Sequence, residues 1–243
     1  MQSTLQKQLT GRMIAFEGGD AAGKKLQTEL LQRFFEQQGV KVTVFSFPRY
    51  ETFTGTLVGN ALKGEYGDFV SMSPYIAALI YMADRKAALP ELLAAQKQGM
   101  VICNRYCGSN EAFQSAKLPE KEQERWVEEY CQRMEHEIMG IPRADLNILL
   151  NVPYEITQEL HKKKEERTYI KGKLQDQHER DEQYQRKVHQ RYLDMAQKKT
   201  DWKRVDCAPR GNTLTDLLSP EDIHKQVKEI IAHAFNPTEF GEN

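Results

Sequence analysis

The stretch "MIAFEGGDAAGKKLQTELLQRFF", residues 13–35, decides the fold. An apolar run leads into a glycine-bearing turn. Leu26, Leu30 and Phe34 then recur every four residues, with Leu31 and Phe35 beside them, which predicts a helix with one apolar face. Strand, glycine turn and amphipathic helix, in that order, house the phosphates of a nucleotide. "GGDAAGKK", residues 18–25, satisfies G-x-x-x-x-G-K from Gly18 to Lys24 and departs at the last position, where Lys25 replaces the usual Ser or Thr. The candidate phosphate cradle is therefore Gly18, Gly19, Asp20, Ala21, Ala22, Gly23, Lys24 and Lys25. Gly18 and Gly23 permit the tight loop, its backbone N–H groups and the helix dipole face the anion, and Lys24 adds a point charge.

Outward from this stretch the alternation repeats. "RMIAFEG" (12–18), "VKVTVFSF" (40–47), "GMVICNRY" (99–106), "RADLNILLNVP" (143–153) and "DWKRVDC" (201–207) predict five strands. Gly39 stands where the first helix should end. Ser73 and Pro74 open "PYIAALIYMADRKAAL" as N-cap and first-turn residue. Ser219 and Pro220 open "SPEDIHKQVKEIIAHAF", with the capping signature Ser219-x-x-Asp222. Apolar strands each followed by a helix predict an α/β fold, a five-stranded parallel sheet flanked by helices on both faces. With no repeat and no linker rich in Gly or Pro, residues 1–243 are expected to form one domain.

The totals narrow the function. With 243 residues, 40% hydrophobic and 28% charged, the chain can bury a sizeable core. A net charge of −1 gives no ground for a nucleic-acid or membrane-surface partner. Cys103, Cys107, Cys131 and Cys207 form no CxxC pair and have no His at metal-ligand spacing, so they read as reduced thiols and no metal-ligand set is expected. No apolar run approaches the ~18 residues of a membrane span, and "MQSTLQKQL" lacks the basic start and apolar stretch of a signal peptide. These features point to the cytoplasm.

Three further segments carry chemistry. The ligand crevice of an open α/β sheet lies beyond the carboxyl ends of its strands. Asn104, Arg105 and Tyr106, ending the third strand, and Arg49, ending the second, are therefore expected beside the loop, where two guanidiniums suit a second phosphate. "YMADRKAAL" (81–89) puts Tyr81 and Arg85 one turn apart on one face. That pair reads either as a core aromatic with a snorkelling Arg or as a platform for a base with an Arg at its edge. "HKKKEERTYIKGKLQDQHERDEQYQRK" (161–187) has no long apolar face, and its first half sets Lys162, Lys163, Lys164, Arg167, Lys171 and Lys173 against Glu165 and Glu166. It reads as a solvated helical hairpin, or, over about residues 161–181, as a mobile lid that brings cations to a polyphosphate.

Taken together and in order, "FEGGDAAGK", "FPRY" followed by "TGTLVGNALKGEYG", "ADR", "NRY" with "SN", "AFQ" and "AK" after it, and "HERDEQYQ" resemble the thymidylate kinases, within the P-loop nucleoside-monophosphate kinases, over roughly residues 11–235. The resemblance implies a P-loop NMP-kinase fold with a basic lid, usually a homodimer. It implies transfer of the ATP γ-phosphate to dTMP, giving dTDP and ADP with magnesium. Carried over by position, Lys24 and its loop are similar to the ATP cradle, and Asp20 to the loop carboxylate facing the sugar. Arg49 and Arg105 resemble the pair holding the acceptor phosphate, Tyr81 the aromatic stacking on thymine, and Arg85 the Arg hydrogen-bonding it. Tyr106 resembles the residue crowding the 2′ position, and Asn110 and Gln114 fall where polar contacts to the base belong. Arg180 matches the phosphate-stabilising Arg of the lid, with Arg167 behind it. The resemblance thus makes Lys24, Arg105 and Arg180 the catalytic candidates.

Two departures touch the metal. Lys25 replaces the hydroxyl that usually ligates magnesium, and Asn104 replaces the Asp of the family's "DRY". An added cation and a lost carboxylate both weaken divalent-metal binding. Phosphoryl transfer nevertheless rests on positioning and charge stabilisation, and an acceptor phosphate is already ionised at neutral pH. Magnesium can stay on the ATP phosphates through its waters. An active dTMP kinase is therefore the leading expectation. A kinase for another pyrimidine monophosphate such as dUMP, and a catalytically silent nucleotide-binding protein, stay open. A P-loop protein acting on a macromolecule would want a basic surface or an extra domain, and neither is evident in the sequence.

Overall fold

A computed structural model describes residues 4–168 and 182–235. Its elements run α1 (Thr4–Leu9), β1 (Met13–Glu17), α2 (Lys24–Gln37), β2 (Val42–Ser46), α3 (Phe53–Leu62), α4 (Pro74–Gln98), β3 (Met100–Asn104), α5 (Cys107–Ser115), α6 (Glu120–Trp126), a π-helix (Val127–Ile138), β4 (Leu146–Asn151), α7 (Tyr154–Thr168), α8 (Glu182–Lys198), β5 (Trp202–Asp206), a 3₁₀ turn (Leu214–Asp216) and α9 (Pro220–Phe235). All five expected strands form, and all pair in parallel in the order β2-β3-β1-β4-β5.

The central strand explains the arrangement. Every residue of β1 is buried, because its side chains alternate between two covered faces. Ile14 and Phe16 pack into a cluster with Leu31, Phe35, Ile223, Val227 and Ile231, from α2 and α9. Met13 and Ala15 pack with Ala88, Leu92 and Ala95 of α4 on the other side. Strands covered on both faces carry continuous apolar runs, which is the pattern "MIAF" shows. The register places Phe16 opposite Asn104 of β3 and Ile148 of β4, and Ser46 of β2 opposite Asn104. The carboxyl ends of β2, β3 and β1 thus form one edge, at which the glycine turn begins.

The helix signals hold. The N–H of Gly39 closes on the carbonyl of Glu36 at 3.0 Å just past α2. The Ser219 hydroxyl accepts from the N–H of Asp222 at 3.1 Å and donates to its carboxylate at 2.7 Å. Helix α4 opens at Pro74 as expected but runs through Pro90 to Gln98. A proline inside a helix costs about 3 kcal/mol. Beyond it Leu92 and Ala95 are buried against the sheet, and their packing holds the last two turns in place. Helix α1 is a feature the sequence reading did not anticipate. Its Leu5 and Leu9 join the core cluster.

One glycine fixes the loop between β2 and α3 against the site. A Cβ on Gly55 would lie 1.8 Å from the carbonyl oxygen of Arg49 and 2.2 Å from its carbon. Backbone cannot yield as a flexible side chain would. Gly55→Ala is therefore expected to destabilise the protein by about 1–3 kcal/mol, seen as a lower urea midpoint at unchanged slope; an unchanged midpoint would show that this contact is not held.

Candidate active site

The loop after β1 has the strained backbone its sequence requires. Gly18 has φ 139°, and a Cβ there would meet the Leu150 carbonyl oxygen at 2.8 Å, so only glycine fits between β1 and β4. Ala21 is also held at positive φ, 58°, a conformation that is uncommon without glycine. Helix α2 begins at Lys24 behind the left-handed Gly23. Lys24 is buried, and its Nζ donates back to the carbonyls of Gly19 at 2.6 Å and Gly18 at 3.1 Å. Burial pulls its pKa down to about 7, Arg105 adds to the fall, and Asp20 and Glu17 oppose it.

Lys25 behaves differently. Its side chain is 83% exposed, with the Glu29 carboxylate at 3.9 Å. The nearest hydroxyl along the helix, on Thr28, is buried and donates to the Lys24 carbonyl at 2.9 Å. It does not stand in for the missing loop hydroxyl.

Arg105 joins the loop to the neighbouring cavity. It sits at φ 64°, a strained position for a residue with a Cβ, and its N–H donates to the Phe16 carbonyl at 3.0 Å. Its guanidinium donates to the Gly18 carbonyl at 3.0 Å and the Ser109 hydroxyl at 3.2 Å, pairs with Asp20, and lies 5.3 Å from the centre of the Phe113 ring. Burial works against its charge, and Asp20 foremost restores it. Beneath it, Glu17 has no exposure and accepts from the Tyr106 N–H at 2.9 Å, the Ser109 hydroxyl and the Tyr192 hydroxyl.

The cavity, open to solvent, spans about 500 Å³ and is lined by Asp20, Phe47, Pro48, Tyr50, Leu62, Tyr81, Arg85, Arg105, Tyr106, Ser109, Asn110, Phe113 and Gln114. Its walls are mostly apolar, but three buried polar side chains in them are incompletely bonded. Arg85 pairs with Glu135, yet its Nε has no partner among the described residues. Asn110 donates to Glu135 at 2.8 Å and to the Ala78 carbonyl at 3.3 Å, and its Oδ1 is unpartnered in the same sense. Gln114, with no exposure, has neither its oxygen nor its nitrogen bonded among the described residues. Buried polar atoms are rarely left so. All three residues line the cavity, and such atoms call for hydrogen-bonding partners.

A second groove lies beside the loop, lined by Lys25, Ser46, Arg49, Glu51, Thr52, Glu91, Asn104 and Arg105 among others. Arg49 faces this groove and does not line the cavity. Its Nε is 3.4 Å from Asp84 and an Nη is 3.3 Å from Glu91. Asp84, buried, also accepts from the Arg49 N–H at 2.8 Å and the Thr54 hydroxyl at 2.9 Å, so it fastens the whole 49–54 loop. Asn104 reaches the Ser46 hydroxyl at 3.4 Å.

The structure thus brings Asp20, Tyr81, Arg85, Arg105, Tyr106, Asn110 and Gln114 to one cavity. Lys24 and its loop stand next to it, and Arg49 lies in the adjoining groove. The Tyr106 hydroxyl donates to the Pro142 carbonyl at 2.8 Å, so its ring, not its oxygen, is available to a ligand. Arg180 and most of the expected lid lie outside the described residues, as does the side chain of Arg167. Sequence reasoning missed Glu17, which ties the end of β1 to Tyr106 and Ser109, and Asp84 and Glu135, the carboxylates that hold Arg49 and Arg85. It missed the apolar wall of Phe47, Leu62 and Phe113 as well. Glu17 and Asp84 stood inside quoted motifs, next to the glycine turn and to Arg85. Glu135 carried no local signal.

Comparison with known proteins bears on the same residues. The sequence model of the family described as thymidylate kinase matches residues 16–216. The thymidylate kinase of Mycobacterium tuberculosis is 31% identical over 218 residues, spanning 87% of this chain and 99% of that one. That of Plasmodium falciparum is 29% identical over 232 residues, 95% and 94% of the two chains. Among solved structures, thymidylate kinase from Candida albicans superposes with a TM-score of 0.65 at 22% identity over 93% of each chain, a likeness of fold.

Lys24 gives a direct test of the loop. With its pKa near 7, the free amine is mostly neutral at about pH 8, and bound phosphates raise the pKa again, so binding there takes up about one proton. The expected result is an ATP-binding enthalpy that varies with buffer ionisation enthalpy at about pH 8 and far less at about pH 6, where the amine is already charged. Lys24→Met should abolish the difference. Equal proton uptake at the two pH values would refute a depressed Lys24.

Proposed function

The chain belongs to the thymidylate kinase family, and on that premise we propose how it phosphorylates dTMP to dTDP with ATP. The unpartnered atoms of Arg85, Asn110 and Gln114 carry the reading of the acceptor. An Arg can only donate, so Arg85 Nε suits the O4 acceptor of thymine and repels the amino group that cytosine carries there. Gln114 offers both a donor and an acceptor, matching O2 and N3–H, and Asn110 adds an acceptor. The Tyr81 ring supplies a platform for the base. Phe47, Leu62 and Phe113 give a methyl group an apolar wall, and the Tyr106 ring, with Phe113, crowds a 2′-hydroxyl. A single methyl is worth about 1–3 kcal/mol in such a pocket, which sets the margin over dUMP.

Transfer is a matter of placement. The loop N–H groups and Lys24 hold the donor phosphates, and Lys24 exchanges the carbonyls of Gly18 and Gly19 for phosphate oxygens. Arg105, between loop and cavity, is placed to bridge donor and acceptor phosphates as charge develops on the transferred group. Arg49 joins it from the adjoining groove. Asp20, ion-paired to Arg105, faces the sugar of the acceptor. Magnesium bound with ATP would supply charge neutralisation at the phosphates. The loop offers it no hydroxyl, and the neutral oxygens of Asn104 and Ser46 at the strand ends suit its water shell. The lid role of Arg180 belongs to this proposal too.

One kinase domain is proposed for the whole chain, since the five strands share one sheet. A homodimer is supported by Tyr75, Ile76 and Ile138, exposed apolar side chains on α4 and the π-helix. A cytoplasmic location is supported by four free buried cysteines. No helix among the described residues is long and apolar enough to cross a membrane.

The test is ADP release with ATP and Mg²⁺, comparing dTMP with dUMP, dCMP, dGMP and UMP. Turnover with dTMP preferred, lost in Lys24→Ala and lowered about a hundredfold or more in kcat/KM by Arg85→Ala, is the expected outcome. No turnover with any acceptor, while calorimetry still shows nucleotide bound, would make the protein a nucleotide-binding module.

A further inference from the structure

Behind the base cavity the fold gathers three side chains that the sequence keeps apart. Cys107 is the first residue of α5, and Glu135 and His136 are consecutive in the π-helix. Their thiol, a carboxylate oxygen and an imidazole nitrogen lie within 4.8 Å of one another. Cys107 and Glu135 are buried, while His136 is half-buried. Cys107 and His136 also line a separate cavity of about 960 Å³, on a different face of α5 from the one that meets the base cavity.

Hydrogen bonds leave one free lone pair on each of the two ligands adjacent in sequence. His136 Nδ1 stands 2.8 Å from the Ile141 carbonyl oxygen, which can only accept, so Nδ1 bears the proton and Nε2 keeps its lone pair. Glu135 Oε1 receives Arg85 and Asn110, whereas its Oε2 has no partner among the described residues. The Cys107 thiol hydrogen-bonds this carboxylate, and a cation would take the place of its proton. Metal-binding histidines and carboxylates are characteristically held by outer hydrogen bonds of this kind.

We propose that Cys107 Sγ, Glu135 Oε2 and His136 Nε2 form a site for a thiophilic divalent cation of the zinc class, with the fourth position open to the cavity beside α5. Thiolate, imidazole and carboxylate together favour zinc over magnesium, so the site is distinct from the ion that travels with ATP. Binding converts the Cys107 thiol to a thiolate bonded to the metal, and its proton leaves through the cavity to solvent. Because the ligand is the thiolate, the metal is held more tightly as pH rises. The site is coupled to base recognition because one carboxylate, Glu135, serves both Arg85 and the cation.

Cobalt(II) is the probe, since cobalt–thiolate bonding gives a charge-transfer absorption, and the readout does not depend on turnover. Titration of the full chain should give one cobalt per chain with that band, displaced by zinc and not by excess magnesium. Cys107→Ser should remove the band, and His136→Gln should weaken cobalt binding at least about tenfold. Cys131→Ser, another buried thiol, should change neither. Circular dichroism of each variant separates a lost site from a lost fold, and His136→Gln, at a half-buried position, tests the site should Cys107→Ser not fold. No band in the unaltered protein, its persistence in Cys107→Ser, or unweakened binding in His136→Gln would overturn the proposal.

Discussion

A carboxylate that water does not reach organises the mouth of the sheet. Glu17 closes β1, has no exposure, and takes hydrogen bonds from the Tyr106 N–H, Ser109 and Tyr192. It therefore ties the central strand to the end of β3, to α5 and to α8 at one point. Burial raises its pKa, while Ser109, Arg105, the Tyr106 N–H and Lys24 work the other way. Isolated, such a carboxyl would be costly to bury; the donors around it offset part of that cost. Lys24 and Arg105 are arranged about it, with Asp20 as a further carboxylate. Arg105 and Asp20 are paired before any nucleotide arrives, and Lys24, its pKa near 7, takes up its full charge as phosphate enters.

Much of this was legible in the amino-acid order. The five strands, the glycine turn, the start of α4 and the Ser219 cap rest on short-range rules of periodicity and backbone conformation, and those rules act within a few residues. Arg105, Tyr106, Tyr81 and Arg85 were legible because they sit at a strand end and on one face of α4, places the topology brings together, whereas Asn110 and Gln114 were reached only through the family resemblance. The partners escaped. Glu135 meets Arg85 from 50 residues away, and no pattern at that separation announces a buried ion pair. Helix α1 escaped because six residues are too few to show a period, and the run of α4 past Pro90 because packing outweighed a local breaker.

The acceptor side and the metal side of the site obey different logics. On the proposed acceptor side the three arginines are locked from behind, Arg85 by Glu135, Arg49 by Asp84 and Arg105 by Asp20. Such backing fixes geometry before binding, which is how a site turns contacts into transition-state stabilisation rather than into ordering cost. On the metal side Lys25 is exposed and loosely paired, so nothing there is locked. The protein supplies a rigid seat for one substrate and leaves the counter-ion of the other to the phosphates themselves.

The π-helix from Val127 to Ile138 gives that rigidity an unexpected dependence on length. Helix α6 runs straight into it, and Met139 closes on Met134, five residues back, at 2.9 Å. Removing one residue from α6, with the winding of the following turns kept, would rotate those turns by about 100°. Glu135 would swing off Arg85 and His136 off the Ile141 carbonyl, though no side chain in either pair had changed. Chains descended from this one could therefore tolerate many substitutions along the exposed side of that helix and yet lose the Arg85–Glu135 pair through a single-codon deletion. The count of residues is here as much a part of the site as their identity.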